Sequence, residues 1–204
     1  MTACVILPLL LGNRVRTDLV ACYPDLAVLR RATRAGDWSG VEAYFDALPP
    51  RADRSTAVQL VAYSAGSERF LQKAVDTHRD SALARTLLGS RFIVIGWKAR
   101  TRAWASQVSQ AQWRVFLDYL GRAERILADA VAIDPEDSAA WTERITTARG
   151  LSLDLDEARR RYERSRSWRP ARRRPARQGR LRCGCSRWWA GHRLQAFGGW
   201  LPVP

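Results

Sequence analysis

Few side chains in this sequence are able to do chemistry. Its 204 residues hold two histidines, His78 and His192, so histidine-assisted nucleophiles and histidine-rich metal centres have little material. Asp76-x-His78-x-Asp80 could offer a nitrogen and two oxygens to a cation if extended, and equally makes the polar end of a helix before Ser81. Ala62-Tyr63-Ser64-Ala65-Gly66 is close to the nucleophile elbow of hydrolases, but that elbow needs a strand before it and a helix after it, and both flanks here read as helix. Asp154, Asp156 and Glu157 form a tight acidic group whose simplest use is to cap the helix that follows. Cys183-Gly-Cys185 with His192 is too compressed for a structural zinc site, which spaces paired cysteines by two to four residues. No glycine-rich run with the spacing of a phosphate cradle occurs. The sequence therefore predicts no catalytic residue, no metal and no cofactor.

The elements around these residues read as helix after helix, with no sustained alternation of period two. Asp25 to Ala35 carries Leu26 and Leu29 at helical spacing and stops at Gly36; Asp37 restarts the pattern with Trp38, Val41 and Phe45. Pro49-Pro50 closes this hairpin. A second is expected from Ser55–Ala65 and the segment holding Phe70, Leu71, Ala74 and Val75, divided by Gly66-Ser67. Ser81–Lys98 is apolar on so much of its circumference, through Leu83, Leu87, Leu88, Phe92 and Ile95, that it should lie at the centre of the core.

Two segments then match by offset. Ala123, Leu127, Ala130 and Pro135 stand at offsets 0, 4, 7 and 12, and Ala158, Tyr162, Ser165 and Pro170 repeat those offsets thirty-five residues on. Small residues on one helical face let a neighbour approach closely, and the larger residue fills the gap. Asp134-Pro135 reads as the start of the helix carrying Trp141, Ile145 and Ala148, Gly150 as its end, and Asp154-x-x-Glu157 as a capping box for the next.

On these residues the chain resembles the tetratricopeptide repeat proteins: Leu88-Gly89-x-x-Phe92 matches part of the first helix of that pattern, and Ala123, Leu127, Ala130 and Pro135 match the second. About twenty residues between Trp97 and Tyr119, including Trp104 and Trp113, stand where the repeat has a tight turn, so an insertion is expected there. Leu87-Leu88-Gly89, Gly96-Trp97, Gln112-Trp113, Ala132-Ile133-Asp134-Pro135 and Ala148-Arg149-Gly150-Leu151 also resemble a family of helical-repeat proteins from GC-rich bacteria, a likeness that brings no activity with it. The fold implied is all-α, built of stacked antiparallel helical hairpins over residues 25–164. Residues 1–24 are an N-terminal segment without an assigned element, and 165–204 are expected to be a disordered tail. Ala3–Gly12 has no basic residue before it and Arg14 and Arg16 after it, the reverse of a secretory signal. It reads as a mature or mis-started N-terminus.

Charge separates the two parts. The formal net charge is +14, and because all 20 acids lie at or before Glu163, residues 1–163 carry +3 and the last 41 carry +11. One reading of that stretch is a nucleic-acid arm in which Arg172, Arg173, Arg174, Arg177, Arg180 and Arg182 neutralise phosphates and Trp168, Trp188, Trp189 and Trp200 stack on bases. The other is a shifted reading frame: Arg, Pro, Gly, Ala, Trp and Cys fill 29 of the last 40 positions, and the change comes in mid-motif rather than at a linker. The shifted frame is the reading favoured here, and it would leave the last repeat with an exposed apolar face. Arginine outnumbers lysine 32 to 2, as GC-rich coding gives.

No apolar run approaches the ~20 residues of a membrane-spanning helix, so no membrane is expected. Four cysteines, two near each end, suit a reducing cytoplasm better than a disulfide scaffold. The function expected is a non-enzymatic repeat module for a protein or peptide partner, its groove lined by Ser90, Ile93, Thr142, Thr146 and Arg149. The alternative is nucleic-acid binding through the arginine-rich tail.

Overall fold

Gly36 and Asp37 show how the sequence punctuates the chain. Helix α1 (Leu26–Ala35) buries Leu26, Leu29, Ala32 and Thr33 along one stripe and stops at Gly36, whose φ of +67° suits a residue without a β-carbon. The Asp37 carboxylate then accepts the Gly40 N–H at 3.0 Å and opens α2 (Trp38–Asp46), as its position predicts. In this computed structural model the described residues are 20, 23–49 and 52–167. Among them the remaining helices are α3 (Ser55–Tyr63), α4 (Glu68–Thr77), α5 (Ala82–Arg100), α6 (Gln110–Ile133), α7 (Ser138–Gly150) and α8 (Leu155–Ser167), with a 3-10 turn at Ala105–Gln107. The fold is all-α, with no strand among the described residues.

Helix α5 is the centre, as its largely apolar circumference predicts. It is buried without a gap from Thr86 to Val94, because α3, α4, α6 and α7 all pack on it. The helices from Asp25 onward belong to one compact unit. Short turns return α2 onto α1 and α8 onto α7, a longer connection with a 3-10 turn returns α6 onto α5, and α1 packs on α3, α3 on α5 and α5 on α7. Leu71, Leu87, Leu88, Leu120, Leu127 and Phe116 are fully buried, each contributing about 2 kcal/mol relative to an exposed side chain. No helix among the described residues is long and apolar enough to cross a membrane.

Small residues set the helix spacing. A β-carbon on Gly89 would lie 2.6 Å from Leu127 Cγ, and one on Gly150 would lie 2.0 Å from Leu120 Cδ2, so both glycines admit leucines of α6. Ala123, Leu127 and Ala130 are all fully buried, as their offsets predict.

Four local expectations are corrected. The insertion after Trp97 shrinks to the stretch between Arg100 and Gln110, because Ser109 and Gln112 form a reciprocal capping box that starts α6 early. The cap of α7 is Asp137 rather than Asp134: its Oδ1 accepts the N–H groups of Ala139 and Ala140 at 2.9 and 3.1 Å. Asp154 accepts the Glu157 N–H at 2.7 Å, but the Glu157 carboxylate turns to Arg160 and Arg161 instead of completing the box. In α8 the repeat offset fails, since Tyr162 is half exposed while Arg161 takes the interior position beside it.

Candidate functional site

The five residues expected to line a partner groove divide into two groups. Ser90 is 1% exposed and Ile93 4%; the Ser90 hydroxyl donates to the Thr86 carbonyl of its own helix at 2.7 Å. Both are interior residues, not groove residues, because α3 and α7 pack on α5 and on each other. Thr142, Thr146 and Arg149 remain on the outer side of α7, partly or fully exposed, and follow one another at helical spacing along one face. The Thr142 hydroxyl donates to the Ser138 carbonyl at 2.7 Å.

Polar side chains stitch the interior where the groove was expected. Gln59 of α3 donates through Nε2 to Glu143 Oε1 of α7 at 2.9 Å, and Thr86 of α5 donates to Asp137 Oδ2 at 2.8 Å. Glu143 is 5% exposed. Burial pushes its carboxyl up to about 7, with the Gln59 hydrogen bond opposing and the Asp137 charge adding to the rise. Burial likewise raises the Asp137 carboxyl, against the hydrogen bonds from Thr86, Ala140 and Ala139. Tyr63, one turn beyond Gln59, has its phenol raised by burial and by the Glu143 charge.

A second network joins α6, α7 and α8. The Glu124 carboxylate receives Arg144 Nη2 at 2.7 Å, Arg161 Nη1 at 2.8 Å and a short hydrogen bond from the Thr147 hydroxyl. Arg161 also donates to the Arg144 carbonyl at 2.8 Å and, through Nε, to Glu157 at 2.6 Å. Burial alone would raise the Glu124 carboxyl, but the hydrogen bonds from Thr147, Arg144 and Arg161 outweigh it and hold the group below the usual carboxylate range. Arg91 plays a similar part on the opposite flank of α5, bonding Glu68 Oε1 through Nε at 2.9 Å and the Ala62 carbonyl at 2.8 Å. These charges are satisfied by protein groups and hold helices together.

The residues singled out for catalysis or metal binding lie apart. Ser64 follows the last residue of α3, as helical flanks require, and its hydroxyl donates to the Leu60 carbonyl at 3.0 Å. His78 follows α4 with its ring 5.6 Å from that of Trp38, and Asp76 accepts from Gln72 at 2.9 Å. Among the described residues no three His, Cys, Asp or Glu side chains are grouped to hold a metal ion. Cys183, Cys185, His192 and the arginines Arg172, Arg173, Arg174, Arg177, Arg180 and Arg182 lie outside the described residues.

Arg149 belongs to a cluster that sequence reading did not assemble. Its guanidinium carbon is 4.7 Å from the centre of the Trp97 ring at the end of α5, and Arg100 lies 5.6 Å from Trp97 and 5.3 Å from Trp113 of α6. Burial, and then the Arg100 charge, lowers the pKa of Arg149 from its usual value. Trp113 and Trp97 both set their rings edge-on to Phe116, with centroids 5.5 and 4.9 Å away. The signal that could have found this cluster is the alternation of tryptophan and cation in Trp97-Lys98-Ala99-Arg100-Thr101-Arg102-Ala103-Trp104.

No family model, curated protein or solved structure matches this chain.

Proposed function

We propose that the chain is a non-enzymatic helical-repeat module, of the tetratricopeptide-like kind its motifs resemble, that holds a protein or peptide partner. The observation that carries this reading is the division of α7. Ala140, Glu143, Thr147 and Ala148 are built into the packing, whereas Thr142, Thr146 and Arg149 form a row on the outer side. Thr142 and Thr146 can vary to suit a partner without disturbing the Trp97 contact that Arg149 makes with α5, and a variable outer face is the property that makes hairpin arrays useful as binding scaffolds. Among the described residues Arg149 makes no ion pair with an acid, so its donors can serve a carboxylate or main-chain carbonyl of a bound segment. The scarcity of cysteine and the dominance of arginine over Lys73 and Lys98 support a setting in the cytoplasm of a bacterium with GC-rich coding.

The test is a peptide-display selection on the immobilised full-length chain, repeated with Thr146→Lys and with Arg149→Glu. A peptide motif enriched by the wild type and lost by both variants is the expected result. Enrichment that survives both substitutions contradicts the assignment of this row.

A further inference from the structure

Helix α5 ends in a strained turn that displays an aromatic ring. Thr101 has φ +64° and ψ −174°, a conformation that residues with a β-carbon rarely adopt. The chain beyond it is held by Arg100, whose Nη1 donates to the carbonyls of Thr101 and Ala103 at 3.3 and 3.4 Å. The next residue, Trp104, is 75% exposed. A tryptophan left this open forgoes burial of a large apolar surface, and such residues are typical anchors of a binding surface.

Cationic side chains gather at this end of the α5–α6 hairpin. Arg102 and Arg114 are exposed, and Arg100 and Arg149 flank Trp97 at the same end of the helices, where α5 finishes and α6 starts. The ion pairs among the described residues engage Arg91, Arg122, Arg144, Arg159, Arg160 and Arg161, and none of these four. The patch therefore combines guanidinium donors that meet no acid with indole rings, one of them open to solvent. That combination fits a ligand carrying both negative charge and flat π-faces.

We infer that this end of the α5–α6 hairpin binds single-stranded nucleic acid, with Arg100, Arg102, Arg114 and Arg149 facing phosphates and Trp104 stacking on a base. Stacking needs an accessible ring rather than a deep pocket, and it tolerates any base because every base offers a π-face. An acidic peptide would match the arginines and leave Trp104 without a flat partner. The site uses none of the arginine-rich residues 172–182, and it differs from the peptide row by Trp104, Arg102 and Arg114.

The experiment measures anisotropy of fluorescein-labelled oligothymidine and oligouridine strands of about fifteen nucleotides titrated with the full-length chain. Wild type, Trp104→Ala, the pair Arg102→Gln/Arg114→Gln and the control Arg159→Gln are compared. Trp104→Ala should weaken binding about tenfold. The paired variant should flatten the slope of log affinity against log salt by about 0.7 per cation removed, and the control should match wild type. The two strands report whether the sugar is deoxyribose or ribose, and the loss on either supports the site. Absence of binding by wild type overturns the inference, and so does wild-type affinity and slope in the patch variants, which would assign binding to residues 172–182. Equal displacement of the strand by poly-glutamate also overturns it, in favour of an acidic protein partner. The four substituted residues are exposed, and unchanged far-ultraviolet dichroism and melting temperature verify that the variants fold.

Discussion

Leu127 occupies the space that a β-carbon on Gly89 would need: a carbon placed there lies 2.6 Å from Leu127 Cγ and 2.8 Å from Cδ2. This pair lies in the interface between the two longest helices, α5 and α6. Gly89→Ala gains about 1 kcal/mol of helix propensity but forces a branched carbon at the centre of the interface to move, which costs about 1–3 kcal/mol. A net loss of stability is expected. Leu127→Ala alone should cost about 2–5 kcal/mol, and the double variant should lose less than the sum. Urea midpoints of the four proteins measure the coupling; strict additivity contradicts the contact.

Glu143 gives the fold a dependence on pH with a definite sign. Its carboxyl has an ordinary value of 4.5 and is pushed up to about 7 in the folded chain. The folded state thus holds the proton more tightly, so this contribution is complete below about pH 4.5, declines between there and pH 7, and is absent above. The loss amounts to about 3 kcal/mol. Glu143→Gln keeps a partner for Gln59 and removes the titration. Stability measured at pH 5 and pH 8 should fall for the wild type and change much less for the variant; parallel pH profiles would count against the buried carboxyl.

The Glu124 network responds in the opposite direction. Its carboxyl is held below 4.5 in the folded chain, so its contribution is present above that value and is lost as pH falls through the depressed pKa. Arg161→Ala removes a buried cation from Glu124 and Glu157 and should cost about 3 kcal/mol. Arg161→Met, which refills the volume, should cost less. Thermal melts at neutral pH rank the two, and equal losses would show that charge alone, with no contribution from the filled volume, holds α8 to α6 and α7.

Much of the fold was legible from periodicity, because burial on every side leaves an apolar circumference such as that of α5 and small residues leave offsets such as Ala123, Leu127 and Ala130. What escaped was either masked by neighbouring residues or depended on partners distant in the chain. The α6 start was hidden because Ser109 and Gln112 cap it among residues that read as an insertion. Tyr162 was expected where Arg161 stands, since an arginine reads as surface unless Glu124, thirty-seven residues earlier, is known to face it. Ser90 and Ile93 occupy a face of α5 that would be a groove only if α3 did not close over the layer. The Trp97, Arg100 and Arg149 cluster draws on two helices, and the alternation of tryptophan and cation from Trp97 to Trp104 signals only its α5 half.

Asp137 joins two roles, capping α7 and accepting from Thr86. Asp137→Ala should therefore cost more than the ~1 kcal/mol of an ordinary cap, because the buried Thr86 hydroxyl loses its acceptor. Thr86→Val in the same background should recover part of the loss. Chemical denaturation of the single and double variants checks this, and an unrelieved double variant contradicts the coupling.

The central claim is that α7 presents a partner-binding row while its opposite side belongs to the core. The most direct measurement is a backbone amide NMR titration of the full-length chain with a peptide obtained by display selection. Shifts concentrated at Thr142, Thr146 and Arg149, and abolished by Arg149→Glu, are predicted. Shifts that spare α7, or binding that Arg149→Glu leaves intact, would contradict it.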